Sequence, residues 1–270
     1  MTTSTQGTAL ITGASTGMGA IYADRLAKRG FDLILVARSE DRLQKVAQRI
    51  REASGRNVQI QTADLNKKAD LGRIEQVLRE DTRITLLVNN AGFGAVTPLL
   101  QSNVEKMDEM ISLNVSALTR LTYAAVPGFV ARGKGALINI ASIVAIGPEI
   151  MNGVYGASKA YVLAFTQSLQ HELADKGVRV QAVLPGATAT DFWDIAGLPH
   201  SNLPEGWVMS AEAMVDAALA GFDQGEVVTI PPLQDGQEWT DYEAMRRALS
   251  QQFQHTTPGP RYLSREAVAV

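Results

Sequence analysis

Short apolar runs alternate along the chain with longer stretches in which apolar residues return every three or four positions. The first run is Ala9-Leu10-Ile11, followed by a helix-period stretch over 17–28 and a second run, Phe31-Asp32-Leu33-Ile34-Leu35-Val36. Gly30 stands between them, where a glycine ends a helix by taking the left-handed conformation at little cost. The alternation continues with a charged helix over 41–52, a strand over 58–61, a helix over 71–79 and a strand over 84–88. Later strands are expected at 136–140, 178–184 and 227–230, and later helices at 104–131, 157–174, 211–220 and 242–252. Strands that are apolar almost throughout, with helices between them, fit a parallel sheet covered on both faces. The expectation is one α/β domain over 1–270, a doubly wound parallel sheet of about seven strands.

One stretch breaks the rhythm. Residues 188–209 are rich in Gly and Pro and carry Phe192, Trp193, Ile195, Leu198 and Trp207. A loop of this length in a compact domain is usually functional or disordered. It leaves the carboxyl end of a strand, where open α/β sheets bind ligands, and so reads as a substrate lid. The competing reading is a loop whose aromatic residues fasten it to the core. The segment 254–270, with Thr256-Thr257-Pro258-Gly259-Pro260, reads as a tail.

Composition narrows the partners. At 270 residues, 46% hydrophobic and 20% charged, the chain has ample length for a sizeable core. A net charge of -3, with no basic run, argues against nucleic acid. The absence of cysteine excludes disulfides, thiolate metal sites and cysteine nucleophiles, and His171, His200 and His255 are too scattered for a ligand cluster, so no metal is expected. Residues 1–7 lack the charged and apolar regions of a signal peptide, and no apolar run is long enough to span a bilayer. A soluble cytoplasmic protein without membrane partners is expected.

Candidate chemistry centres on Tyr155-Gly156-Ala157-Ser158-Lys159. A tyrosine and a lysine four apart on a helix share one face. A phenol titrates at about 10, and a fixed ammonium beside it would lower that value until the tyrosine can exchange protons near neutrality. Ser142 follows the run 136–140, so its hydroxyl stands at a strand end, able to hold a carbonyl oxygen. At the other end of the chain, Thr12-Gly13-Ala14-Ser15-Thr16-Gly17-Met18-Gly19 lies between the first strand and the first helix. Gly13 permits a tight turn, Gly17 lets a pyrophosphate approach the backbone, Gly19 lets helix and strand pack closely, and the helix start supplies N–H donors. A glycine-rich turn without a ligand is the alternative.

Taken in order, these features resemble the short-chain dehydrogenase/reductase family of Rossmann-fold oxidoreductases. The likeness rests on Gly13/Gly17/Gly19, Asn89-Asn90-Ala91-Gly92, Asn114, Ser142 and Tyr155/Lys159, and spans about residues 8–230. It implies that Tyr155 is the acid/base, Ser142 holds the substrate oxygen, Lys159 lowers the tyrosine pKa and binds ribose, and Asn114 supports a water-linked proton path. On the sequence alone Asn114 equally caps or kinks its helix. The resemblance also implies a cofactor site made of the glycine loop with Ser15, Thr16 and Met18, of Asp64 and Leu65 near adenine, of Asn90, Ala91 and Gly92, and of Pro185, Gly186 and Thr188 on the nicotinamide side. Asp64 reads equally well as the cap of the next helix.

The cofactor expected is NADP(H). An acidic residue about twenty positions past the glycine loop would select NAD, whereas Ala37 stands there, followed by Arg38, which is suited to an additional phosphate. Arg38 as a solvated charge, with Glu40 or Asp41 on the ribose, is the alternative. The reaction implied is carbonyl–alcohol interconversion, running as reduction on a fairly apolar small molecule. The alternatives are a 3-oxoacyl-carrier reductase and a non-catalytic NADP-binding sensor or scaffold. The resemblance further implies a homodimer or homotetramer joined through the helices at 104–131 and 157–174. The end of the chain departs from the family: 227–230 runs into Pro231-Pro232-Leu233-Gln234-Asp235-Gly236 and another helix instead of an Asp-Gly-Gly turn, which leaves the tetramer open.

Overall fold

A computed structural model describes residues 6–262, and the chain divides after Pro232 into a large and a small compact unit. In the large unit, strands β1 (Thr8–Thr12), β2 (Asp32–Ala37), β3 (Val58–Thr62), β4 (Ile84–Asn89), β5 (Gly135–Ile140) and β6 (Val178–Val183) are joined later by β7 (Thr188–Ala189), β8 (Met209–Ser210) and β9 (Val228–Thr229). Seven of these form one parallel sheet in the order β3-β2-β1-β4-β5-β6-β9, while β7 pairs only with β8. The order reverses between β1 and β4, which opens a crevice above their carboxyl ends.

Helices α1 (Gly17–Lys28), α2 (Glu40–Ser54), α3 (Lys68–Glu80), α4 (Val104–Ile111), α5 (Leu118–Ala131), α6 (Gly153–Leu173), α7 (Phe192–Ala196) and α8 (Ala211–Gln224) surround these strands. Successive strand residues point to opposite faces. Ile11 accordingly packs with Leu43 of α2 and Leu219 of α8 in one core, whereas Leu10 packs with Ile74 of α3, Leu121 of α5 and Leu169 of α6 in the other. A buried polar ladder crosses the second interface. Asn89 and Asn139 are register partners on β4 and β5, and Asn89 Nδ2 donates to Asn139 Oδ1 at 2.9 Å and to Thr122 Oγ1 of α5 at 3.2 Å. Asn139 Nδ2 donates in turn to Thr166 Oγ1 of α6 at 3.0 Å. Two helices are thereby fixed along the strands at the edge where the site lies.

The doubly wound sheet of seven strands agrees with the apolar pattern, and the differences lie at element ends. The expected helix over 104–131 is two helices joined by a π-helical turn, Ser112–Ala117. The helix expected at 157–174 begins at Gly153, because Asn152 caps it by accepting from Val154 N at 2.9 Å, and so Tyr155 is inside it. The last sheet strand is shorter than 227–230. Residues 188–209 are not a plain loop: the β7–β8 pair closes their base, and they contain α7 and two short 3-10 turns, His200–Asn202 and Glu205–Trp207.

The small unit is built on α9 (Gly236–Ser250), where Trp239 and Tyr242 stack with centroids 5.2 Å apart. Asp235 accepts from Gln237 N at 2.9 Å, so this helix starts ahead of the expected 242. The expected single α/β domain over 1–270 includes this segment, which forms a compact unit of its own. Of the expected tail, 254–262 includes a 3-10 turn, Pro260–Tyr262, and 263–270 lies outside the described residues, as does the start of the chain up to Thr5.

Candidate active and cofactor site

A cleft of about 710 Å³ runs along the carboxyl ends of β1 to β4 and under α7. Its floor is the glycine loop. Gly13 and Gly17 hold φ of +65° and +52°, the left-handed region that side chains rarely adopt. A Cβ on Gly19 would stand 2.2 Å from Gly13 O, so helix and loop touch at their backbones. Thr16, the N-cap of α1, makes no side-chain capping bond, which leaves the leading amides of the helix uncapped beside the cleft. Ser15, Thr16, Gly17 and Met18 all line it.

The loop is held from behind by side chains. Asn90 Nδ2 donates to Thr12 O at 2.9 Å and Gly13 O at 3.2 Å, while Thr12 Oγ1 accepts from Asn90 N and Ala91 N, both at 3.0 Å. Asn90 is therefore a clamp between β4 and the glycine loop as well as part of the cleft wall. Thr12 stood in the expected motif without a role, and a hydroxyl at the end of an apolar strand was the available signal.

At the far end the cleft is lined by Val36, Ala37, Arg38, Ser39 and Arg42, and neither Glu40 nor Asp41 is among its lining residues. Arg42, which the sequence did not single out, lies in the first turn of α2, just past Arg38 and the Ser39 N-cap, and reaches the same end of the cleft. Asp64, Leu65, Ala91 and Gly92 line the cleft as expected. Asp64 is not the cap of α3, whose N-cap is Lys67; its Oδ1 accepts from Asn66 N at 3.2 Å in a local turn.

Beside the cleft lies a buried cluster, with Asn114, Ser142, Tyr155 and Lys159 at 2%, 8%, 5% and 6% exposure. Asn114, in the π-helical turn, accepts from Phe93 N at 3.1 Å and donates to Phe93 O at 2.9 Å and Ser158 Oγ at 3.1 Å. Its side chain thus reaches across to the loop after β4 and to α6 instead of capping its own helix. Ser158, also missed, donates to Tyr155 O at 2.8 Å. Gly92 leaves room for both partners, since a Cβ there would lie 2.9 Å from Asn114 Oδ1 and 3.6 Å from Lys159 Nζ. Pro185 O accepts from Ile143 N at 3.0 Å and from Ser142 Oγ at a long 3.4 Å.

The electrostatics differ from the expectation that Lys159 lowers the tyrosine pKa. Burial drives the Tyr155 phenol well above the ordinary tyrosine range, and its hydrogen bond with Ser142 pulls back only in part. Lys159 Nζ stands 5.7 Å from the Tyr155 ring centroid and donates to Ile140 O at 2.8 Å, while burial pushes its own pKa down to about 8. Loss of hydration, which spacing along a helix does not reveal, outweighs the charge.

Helix α7, within the segment expected as a lid, lies against this cluster. Phe192 of α7 packs on Tyr155 with ring centroids 5.7 Å apart, Trp193 Nε1 donates to Thr188 O at 2.9 Å, and Val96 N donates to Ala196 O at 3.2 Å. Thr188 is buried and donates to Gly186 O at 3.1 Å; Thr190, two residues later, lines the cleft instead and lies over Gly17. Gly186 packs against Pro232 and Ile143. Among the described residues no group of three or more acidic or histidine side chains gathers as metal ligands, and no helix is long and apolar enough to cross a membrane.

The family model for short chain dehydrogenase matches residues 7–196. The chain belongs to the short-chain dehydrogenase family. It is similar over its length to a short-chain dehydrogenase from Sphingobium yanoikuyae solved in complex with NADPH, at 47% identity, TM-score 0.92, and coverage of 95% of this chain and 100% of that one. The bulky-bulky ketone specific alcohol dehydrogenase of Comamonas testosteroni is 43% identical, with TM-score 0.88 and 96% and 99% coverage. The very-long-chain 3-oxoacyl-CoA reductase of Anas platyrhynchos is 36% identical over 209 residues, which are 75% of this chain and 67% of the relative. As a short-chain dehydrogenase, the protein keeps the order of motifs expected from its sequence.

The buried ammonium generates a pH signature. Its folded pKa, about 8, lies below the unfolded value, so between pH 8 and 10 the unfolded chain binds the extra proton and stability rises with pH. Relative to Lys159→Met, the wild type without added cofactor should gain on the order of 2 kcal/mol across that window. Urea unfolding at both pH values checks this, and a pH-independent difference would contradict it.

Proposed function

We propose that the protein reduces the carbonyl of an apolar ketone to a secondary alcohol with NADP(H) as cofactor. The observation that carries the cofactor choice is the end of β2: Arg38 and Arg42 line the cleft, Ala37 stands where NAD selectivity needs an acid, and Glu40 and Asp41 stay out of it. The remaining parts fit such a ligand. Two left-handed glycines and an uncapped helix start suit a pyrophosphate, and Asp64 and Leu65 suit the adenine end. When bound, NADPH supplies the hydride. The solved complex of the Sphingobium yanoikuyae relative with NADPH supports the assignment.

The chain's own residues manage the oxygen and its proton. The Ser142 hydroxyl is near enough to the Tyr155 phenol to pull its pKa down, so one carbonyl oxygen can accept from both hydroxyls. Tyr155, its phenol raised by burial, is protonated at neutral pH, the state needed to give a proton to the developing alkoxide. Lys159 holds the positive charge that stabilises the phenolate left behind, and Asn114 fixes the loop at Phe93 and the Ser158 hydroxyl beneath Tyr155. Met107, Met110, Val144, Phe93 and Phe192 pack with the phenol, and of these Phe93, Met107 and Phe192 line the cleft as apolar surface. The Comamonas relative, specific for bulky-bulky ketones, points the same way. The 3-oxoacyl-CoA reductase similarity supports a second reading with a 3-oxoacyl thioester. An intact Ser142, Tyr155 and Lys159 set weighs against a non-catalytic scaffold.

Two copies pair through α5 and α6. Tyr123 is 70% exposed, and Phe165 stacks between it and Tyr161 with centroids 6.5 and 5.6 Å apart. An aromatic stripe of this kind on facing helices is a surface that a second copy can cover.

Three outcomes check this reading. Tyr155→Phe should lose about a hundredfold to ten-thousandfold in turnover while NADPH affinity stays close to wild type; unchanged turnover would require another acid. Arg38→Ala should cut the preference for NADP over NAD in catalytic efficiency, and equal efficiencies before and after the change would rule out the phosphate role. Sedimentation at working concentration should give at least twice the 29.0 kDa chain mass, against a monomer if the aromatic stripe is only a solvated face.

A further inference from the structure

Phe192 occupies a position that the reductase reading does not by itself explain. Its ring lies against Tyr155 at a 47° tilt and against Trp193 edge-on, with centroids 5.7 Å apart in each pair. The space it fills exists because residue 94 has no side chain. A Cβ built on Gly94 would lie 2.4 Å from Phe192 Cζ and 3.2 Å from Tyr155 Cε2, so this glycine touches both rings. Gly94 is absent from the positive-φ glycines, and its conformation is open to any residue. Its requirement is one of space for the aromatic pair.

We propose that the Phe192 ring, seated in the notch left by Gly94, is the wall that sets how large a ketone substituent can lie beside Tyr155. The proposal rests on the reductase reading and assigns its specificity. A carbonyl bonded to the Tyr155 and Ser142 hydroxyls directs one substituent along the part of the cleft lined by Ala95, Met107 and Phe192. A methionine bends to fit varied shapes, whereas a phenyl ring is rigid. Ring and notch therefore form the fixed dimension. Because α7 carries Phe192 and Val96 N bonds Ala196 O, Gly94 and the ring belong to two segments that are tied together, and displacing one reads out on the other.

The test uses the full chain with NADPH and phenyl alkyl ketones from acetophenone, with a methyl group, to valerophenone, with a butyl group. The measured quantity is the ratio of kcat/KM for valerophenone to that for acetophenone, in which general losses of folding or cofactor binding cancel. Phe192→Ala should raise the ratio at least tenfold, and Phe192→Leu should fall between. Gly94→Ala should lower kcat/KM for both ketones at least tenfold in the wild type but less than threefold in the Phe192→Ala background, because the added methyl then loses its 2.4 Å clash with the Phe192 ring and keeps only the 3.2 Å contact with Tyr155 Cε2. A ratio within twofold of wild type in Phe192→Ala, or a Gly94→Ala effect equal in both backgrounds, overturns the proposal while ketone reduction stands. A wild type that reduces no ketone of the series overturns the reductase reading and this proposal with it.

Discussion

Burial of one ammonium and one phenol in the same wall organises the site. Lys159 is held under the sheet edge by the carbonyl of Ile140, and desolvation moves both it and Tyr155 away from their ordinary pKa values toward their neutral forms. Taking a charge out of water costs several kcal/mol unless geometry compensates. The surroundings are arranged for close approach: Gly92 clears space beside Nζ, Asn114 satisfies the backbone of Phe93, and Ser158 joins Asn114 to the carbonyl of Tyr155. Positive charge placed there by a lysine is strongly felt by any phenolate formed nearby, because little water screens it.

The same edge of the sheet fixes the cofactor end. Thr12 and Asn90 tie the turn after β1 to the turn after β4, the two strands between which the order reverses. The buried pair Asn89 and Asn139 continues the tie through β5 to α5 and α6. Removing one member of such a network leaves its partners unsatisfied in a dry interior, at about 1–3 kcal/mol for each group. Polar residues in otherwise apolar strands are thus what place the glycine loop and α6 at fixed positions relative to each other.

Much of this was legible because it depends on pattern. The alternation of apolar runs and helical periods gave seven sheet strands, and Arg38, Asp64, Gly13, Gly17 and Gly92 line the cleft where motif order had put them. What the sequence hid depends on three-dimensional proximity. Thr190, and not Thr188, reaches the cleft because the β7–β8 pairing turns Thr188 inward. The π-helical turn carrying Asn114 leaves the helical period of 104–131 nearly intact, so periodicity could not reveal it. The spacing of Tyr155 and Lys159 showed that they are neighbours but not that water is excluded from both, and the sign of the tyrosine shift followed the exclusion.

The stretch from Gly94 to Thr97 links motions that the elements would otherwise permit separately. On one side Val96 N bonds Ala196 O at the end of the lid helix; on the other, Asn152 donates from its backbone to Ala95 O at 3.3 Å and from its side chain to Thr97 O at 2.6 Å. Asn152 is also the cap that starts α6, two residues before Val154 and three before Tyr155. A lid that opens must therefore break its bond to this stretch or pull on the cap of the catalytic helix. Ala196 is buried, so losing its bond from Val96 leaves a carbonyl unsatisfied in a dry place, and shifting a capped helix packed against the sheet disturbs a buried core as well. The bond from Val96 to Ala196, the Phe192 ring against Tyr155 and the cap at Asn152 thus hold α7 and the start of α6 in one connected segment.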